Sequence, residues 1–195
     1  MARKGEKKLF ADEGNPDGFA VWVRRLLEHM RVRNYSERTI AGTERALRLF
    51  EAWAADRGLE RPTEITKPIL EQYQRWLFYY RKSTGEPLTF SSQRERLQKL
   101  RNFFKWLARQ NAIPPNPASD LDLPRIERRI PRAILSEREV DKVLAQPDLS
   151  DPLGVRDRAM MEVLYSTGIR RHELAALEIF DVDHEGGTLT VRLGK

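Results

Sequence analysis

The sequence contains no cysteine, which excludes a disulfide framework and any zinc or thiol site built on cysteine. No apolar run approaches the ~20 residues that a membrane-spanning helix needs, so no membrane partner is expected. The charged N-terminus is not followed by an apolar segment, as it would be in a signal peptide. Together these absences favour a cytoplasmic protein.

Acidic residues are scarce in the first two thirds of the chain. Residues 1–125 hold 24 Lys and Arg against 16 Asp and Glu, whereas residues 126–195 hold 11 against 13. The net charge of +6 therefore comes from the first part. A basic surface attracts polyanions, and nucleic acid is the commonest such partner, although a solvated charged surface has the same composition.

The apolar residues of the first part recur at helical spacing. After a polar, basic arm at residues 1–15, four amphipathic helices are predicted, at roughly 17–30, 36–57, 66–80 and 91–110. Ser91 is predicted to cap the fourth helix, and Trp53 is expected at the edge of the second helix's apolar stripe. Short connections between such helices are typical of a bundle, so residues 16–118 are predicted to form one helical domain.

Two of these helices have strongly basic faces. The second helix exposes Arg38 and Arg45, and the fourth has six cations against Glu95 alone. Those six are Arg94, Arg96, Lys99, Arg101, Lys105 and Arg109. A basic helix of this kind can enter the major groove of DNA and contact phosphates and base edges. The aromatic residues fall on the apolar stripes, which favours a core position over base stacking.

The second part of the chain has a different pattern. Prolines end the bundle, and residues 119–133 read as a basic linker in which Arg128, Arg129 and Arg132 are exposed. A capping box at Ser136 to Glu139 then opens a new helix. Residues 188–193 alternate with a period of two after a Gly-Gly turn, which predicts a strand. A lone hairpin is incomplete as a sheet, so residues 134–195 are expected to be part of a domain.

The most informative segment lies between two predicted helices. An apolar helix ends at Thr167-Gly168, and a second helical turn starts at once. Arg170 therefore occupies a tight corner, where its rigid guanidinium fork suits a phosphate or a carboxylate. A purely structural arginine paired with Glu173 explains the same residues.

The run Leu-Tyr-Ser-Thr-Gly-Ile-Arg-Arg-His-Glu-Leu at residues 164–174 resembles the first arginine box of the tyrosine recombinases, in their Xer and phage-integrase branch. Weaker likenesses at residues 36–53, 91–117 and 129–136 follow in the family's order. The resemblance implies a mainly α fold, in which a four-helix core-binding (SAM-like) bundle precedes a truncated α+β catalytic domain with a partial β-hairpin. The family clamps double-stranded DNA between these two domains.

The resemblance also implies roles for individual residues. Arg170 matches the first catalytic arginine, which contacts the scissile phosphate, and Glu173 matches the residue that supports it. Lys195 matches the catalytic lysine that helps to protonate the leaving 5′ oxygen. Arg171 is expected beside the DNA. The family needs no metal, cofactor or ATP, because arginine and lysine stabilise the charge and a phosphotyrosine stores the bond energy.

The chain departs from the family pattern in one respect. The His-x-x-Arg box, the later His or Trp and the tyrosine nucleophile would all follow Lys195, and none of the five tyrosines matches the nucleophile. The expectation is therefore the front part of a site-specific recombinase, inactive alone and monomeric in solution, whose protomers assemble on DNA. The alternatives are a DNA-binding module without catalysis and a helical protein-interaction domain.

Overall fold

The computed structural model describes residues 15–126 and 134–192, and the chain divides into two compact units between residues 128 and 129. The first unit contains α1 (Phe19–Val32), α2 (Glu37–Ala55), a 3-10 turn (Pro62–Glu64), α3 (Lys67–Tyr79) and α4 (Phe90–Arg109). The second contains α5 (Glu137–Leu144), α6 (Pro152–Thr167), α7 (Arg171–Leu174), a 3-10 turn (Ile179–Asp181), β1 (Val182–Asp183) and β2 (Thr188–Leu189). The mainly helical fold class predicted from the sequence is confirmed.

Aromatic rings form the centre of the first unit. Phe50 of α2 is 1% exposed, and its ring lies 4.9 Å from that of Tyr73 and 6.1 Å from that of Phe104, measured between centroids. The rings therefore join α2, α3 and α4 in edge-to-face contacts, which such rings favour. Trp53 is 2% exposed, so the prediction of an edge position was wrong. The reason is that α3 covers it, since the Tyr73 ring lies 5.2 Å away.

The helix caps follow local chemistry. Ser36 caps α2 as predicted, because its hydroxyl accepts a hydrogen bond from the Thr39 amide. The prediction that Ser91 caps α4 was wrong, because Thr89 is the cap and accepts from the Ser92 amide at 3.2 Å. Both residues can cap a helix, and Phe90 takes the first helical position between them.

The bundle extends past α4. Ile113, Ala118 and Leu121 are each no more than 4% exposed and belong to the hydrophobic core cluster. The predicted linker at 119–133 therefore begins with a segment that packs on the bundle. Arg101 donates to the Ser119 carbonyl at 3.4 Å, and Arg94 donates to the Pro124 carbonyl at 2.9 Å. These contacts hold the segment against α4.

The second unit is held together by short-range contacts. The predicted capping box opens α5, where Ser136 and Glu139 exchange hydrogen bonds. Arg158 of α6 donates to the Leu144 carbonyl at 2.6 Å and ties α6 to the end of α5. The hairpin pairs Val182 with Leu189 and Asp183 with Thr188 in antiparallel register. The second strand has only two residues, so it is shorter than the predicted one.

Burial differs between the two units. Nearly all the buried apolar residues lie in the first unit, and Leu144 is the one buried hydrophobic residue within 134–192. Large apolar side chains of the second unit are exposed, among them Ile134, Leu149, Leu153, Ile179 and Phe180. Along residues 15–126 and 134–192, no helix is long and apolar enough to cross a membrane.

Candidate nucleic-acid interface and arginine corner

The arginine corner is built by a left-handed glycine between α6 and α7. Gly168 has φ 67° and ψ 14°, a conformation that costs a residue with a side chain more than it costs glycine. Its amide donates to the Leu164 carbonyl at 3.0 Å and ends α6. Two residues later Arg170 is the N-cap of α7, so the guanidinium leaves the chain at the turn itself.

The carboxylate of Glu173 positions the Arg170 side chain. It accepts from the Arg170 amide at 2.8 Å and from the Arg170 guanidinium at 2.9 Å. The side chain of Glu173 is 6% exposed, whereas that of Arg170 is 59% exposed. The hydrogen bonds from the backbone and then the side chain of Arg170 hold the pKa of Glu173 below its usual value. The corner therefore presents a positioned cation to solvent on a buried, ionised support.

The hairpin after the corner has its own anchor. The Asp181 side chain is 4% exposed, and its carboxylate accepts from the Glu178 amide at 2.9 Å and from Arg192 at 2.5 Å. Arg192 also pairs with Glu178 at 2.8 Å. Because Arg192 follows β2, these contacts fasten the end of the hairpin to the turn before β1.

The structure also places other residues predicted from the sequence. Arg171 is exposed on α7, and His172 and His184 are exposed as well. Lys195, Arg128, Arg129 and Arg132 lie outside the described residues, as does most of the predicted arm at 1–15. Their assignments stay predictions.

A long groove follows the basic face of α4 in the first unit. It encloses about 640 Å³, and α1, α2 and α4 all contribute to its lining. Its cationic lining residues are Arg33, Arg94, Lys99, Lys105 and Arg109. Arg38 and Arg45 are exposed on α2 but do not line the groove. The arrangement concentrates positive charge along one helix, which is the form of surface that attracts a phosphate backbone.

The cations of α4 have different surroundings. Lys99 is only 20% exposed and pairs with Glu95 at 2.6 Å, and this hydrogen bond lowers the pKa of Glu95. A Cβ atom added at Gly42 of α2 would lie 2.7 Å from the Lys99 ammonium, so glycine gives Lys99 room to pack there. Arg96 donates to the Ser92 carbonyl of its own helix and does not line the groove. Lys99 and Arg96 are therefore less available to a ligand than the sequence indicated.

Two groove residues were absent from the residues predicted to form the site. Gln98 and Asn102 line the groove and are exposed, and their amides are hydrogen-bonded to each other at 3.0 Å. Lys105 and Arg109, in contrast, were already predicted on the basic face. The signal that could have found the two amides is the spacing of three and four positions from Ser91 to Arg109, which puts them on one ridge with these cations.

Among the described residues, no cluster of three or more His, Asp or Glu side chains is arranged to hold a metal ion.

Comparison with known proteins shows the family. Residues 133–195 match the phage integrase family, and residues 22–113 match the SAM-like N-terminal domain of phage integrases. The chain belongs to the phage integrase family and is a Xer-like tyrosine recombinase sequence, as the arginine box indicated. The two matches fall in the two compact units.

Similar proteins support this assignment. The chain is 50% identical over 168 residues to "Tyrosine recombinase XerC 2" of Ralstonia nicotianae, covering 86% of this chain and 48% of that protein. It is 34% identical over 176 residues to "Tyrosine recombinase XerC" of Escherichia coli O157:H7, covering 89% and 55% respectively. The chain thus spans about half the length of these relatives.

A solved structure shares the fold. The Tn1549 transposon integrase, determined in complex with a circular intermediate DNA, matches with a TM-score of 0.66 and 19% identity. The match covers 89% of this chain and 52% of that one. At this identity the likeness supports the fold.

Proposed function

We propose that this chain provides the DNA-binding bundle and the first catalytic arginine of a site-specific tyrosine recombinase. The reaction is cleavage and rejoining of DNA strands through a 3′-phosphotyrosyl intermediate. The carrying observation is the corner itself, where a half-exposed Arg170 rests on the buried carboxylate of Glu173. The family membership of both units and the basic groove on α4 support the same function.

The proposed task of Arg170 follows from the charge of the reaction. Attack on a phosphodiester builds negative charge on the non-bridging oxygens, and a preorganised cation stabilises it without reorganisation. Glu173 neutralises part of the guanidinium and fixes its direction, while the exposed remainder faces solvent. Arginine suits this task better than lysine because its planar fork can bind two phosphate oxygens at once.

Further residues complete the proposal. Lys195 would act as the general acid at the leaving 5′ oxygen, and Arg171 would contact DNA beside the corner. Arg128, Arg129 and Arg132 would follow the phosphate backbone through the linker. Assembly with other protomers would occur on DNA, with the free chain monomeric, so sedimentation at micromolar concentration should show a single monomeric species.

We further propose that the α4 groove of the first unit binds duplex DNA. Arg94, Lys105 and Arg109 would contact phosphates from α4, and Arg38 and Arg45 would do so from α2. Lys99 and Arg96 would add to the positive electrostatic potential more than they would contact DNA directly, because each is bonded to a partner within the protein. Arg101 donates to the segment after α4 and is only half-exposed, so it belongs with them. Arg94 also donates to that segment, but its residue stays exposed and keeps further donors for a phosphate.

The role of Arg170 is tested with duplexes in which one phosphate at a time is replaced by an uncharged methylphosphonate. At the phosphate that Arg170 contacts, the replacement should weaken wild-type binding about tenfold, as expected for a lost charge-assisted hydrogen bond. The Arg170→Ala variant should be insensitive to replacement at that phosphate, because the two changes remove one interaction. Equal sensitivity of both proteins at every phosphate would contradict the assignment.

A DNA-binding module without catalysis is the second candidate, and the groove alone favours it. Under that reading Arg170 contacts no phosphate, while groove binding keeps its salt dependence. A helical protein-interaction domain predicts neither property. Anisotropy with a 30-bp duplex separates them: binding through five phosphates should weaken about 500-fold between 50 and 200 mM salt, since each contact contributes about 0.9 to the slope. Weak binding that ignores salt would contradict both DNA functions.

A further inference from the structure

One ridge of α4 combines charge and amide groups in a definite order. Its residues follow each other at three or four positions and share the groove: Ser91, Arg94, Gln98, Asn102, Lys105 and Arg109. Cationic residues lie toward both ends of the ridge, whereas its two central residues, Gln98 and Asn102, are uncharged. An uncharged centre on an otherwise basic helix face is unexpected if the ridge only attracts phosphates.

The dimensions of the ridge match a major groove. At 1.5 Å per residue, Arg94 and Lys105 lie about 16 Å apart along the helix, while Gln98 and Asn102 lie about 6 Å apart between them. The major groove is about 12 Å wide between its two phosphate backbones. A helix laid across it therefore places its end cations near the backbones and its centre over the base edges.

The central amides are held in place before any ligand arrives. The Gln98 side-chain amide donates to the Asn102 side-chain oxygen at 3.0 Å, so the two groups face solvent as one unit. Each keeps unused donor and acceptor capacity beyond this bond. The neighbouring ammonium of Lys99 is engaged by Glu95, so it does not compete for the same bases.

We infer that Gln98 and Asn102 are the base-reading residues of α4 and that they select adenine. This inference rests on the proposed binding of duplex DNA in the groove and adds a sequence preference to it. A carboxamide offers a donor and an acceptor side by side, which matches N7 and the N6 amino group of adenine in the major groove. Arg94, Lys105 and Arg109 then set position and affinity without reading sequence.

The test is selection from a library of random duplexes with the whole chain. Wild type should enrich a motif with adenine at one or two fixed positions, preferred about tenfold over other bases. The Gln98→Ala, Asn102→Ala double variant should lose that preference while still binding the unselected library within about threefold, since its cations remain. Gln72→Ala, which removes an exposed amide on α3, is the matched control and should enrich the wild-type motif.

A second variant converts the preference instead of removing it. Asn102→Arg should replace adenine by guanine at one position, because arginine pairs with O6 and N7 of guanine. Enrichment of an unchanged motif by the double variant would overturn the inference, as would salt-dependent binding by wild type with no enriched base. Those results leave groove binding intact, whereas no salt-dependent binding at all would overturn both.

Discussion

At the residue scale, the corner shows how a single pair decides the exposure of a functional cation. Glu173 accepts two hydrogen bonds from Arg170, one on each carboxylate oxygen, and the ionised form accepts both most strongly. Arg170 was identified from its position after Thr-Gly, and a purely structural pairing with Glu173 was the alternative. The structure shows that the pairing and the exposure coexist, because only part of the guanidinium is used.

Glu173→Gln tests this support. Because the folded state lowers the pKa of Glu173, its contribution to stability is complete above the unfolded value near 4.5 and is lost as the pH falls through the folded pKa. The variant should therefore melt at a lower temperature than wild type at pH 7, and this difference should shrink as the pH falls below 4.5. Circular dichroism melts over a series of pH values measure this. A difference that does not shrink at any acidic pH where the protein still folds would show that the carboxylate charge is not the cause.

For Glu51 of α2, the opposite dependence of stability on pH is expected. Glu51 is 6% exposed, and burial raises its pKa to about 7 although Arg48 opposes the shift. Between the usual value of 4.5 and about 7, the folded state retains a proton that the unfolded state has lost. The free energy of unfolding should therefore fall across this window as the pH rises.

Glu51→Gln should remove that slope. At pH 8 the variant should be more stable than wild type by about 1–2 kcal/mol, the cost of a buried charge that lacks a full set of partners. At pH 4.5 the two should be nearly equal. Urea titrations at the two pH values give both numbers. A variant that is less stable than wild type at pH 8 would show that ionised Glu51 stabilises the bundle.

At the element scale, the start of α4 separates what the sequence determined from what it left open. Helical periodicity located all four helices of the bundle within a few residues, because each has one buried stripe. It could not choose between Thr89 and Ser91 as the cap, since both residues have the required hydroxyl. The choice depends on the chain that enters the helix, which includes the buried Leu88.

Thr89→Ala should destabilise the bundle by about 1 kcal/mol, because the Ser92 amide loses its acceptor. Ser91→Ala is the matched control and should change the stability by less than about 0.5 kcal/mol. Denaturant titration of the two variants decides the cap. If Ser91→Ala proved the more damaging change, the position of the cap would be wrong.

The side chains available on the exposed face of each helix were harder to predict from the sequence than the positions of the helices. The sequence predicted that all cations of α4 belong to one exposed surface. In the structure Lys99 packs beside Gly42 and forms an ion pair with Glu95. The contact between α2 and α4 depends on how the two helices pack. The 3.6-residue periodicity of apolar residues within one helix does not predict it. Gln98 and Asn102 were not predicted as DNA-binding residues, because that prediction depended on the positive charge of the helix face.

At the scale of the whole molecule, the two units differ in how much apolar surface they bury. The first has a continuous core that includes Phe50, Tyr73 and Phe104, whereas Leu144 is the one buried hydrophobic residue among the described residues of the second. Burial of apolar area is the main stabilising contribution to folding. The second unit should therefore open more readily.

Hydrogen exchange followed by mass spectrometry tests this difference. Amides of α2 and α4 should exchange only through global opening of the bundle, while those of α5 to α7 should exchange much faster through local opening. Limited proteolysis should accordingly leave a stable fragment that contains α1 to α4. Equal protection in both units would contradict the difference drawn from burial.

Binding of duplex DNA phosphates in the α4 groove is tested most directly by the salt dependence of the affinity. Lys105→Ala with Arg109→Ala should lower the slope of log affinity against log salt by about 2, since each phosphate contact contributes about 0.9. Arg75→Ala, which removes an exposed cation of α3, should leave the slope unchanged. Equal slopes for wild type, the groove variant and the control would show that DNA binds elsewhere or not at all.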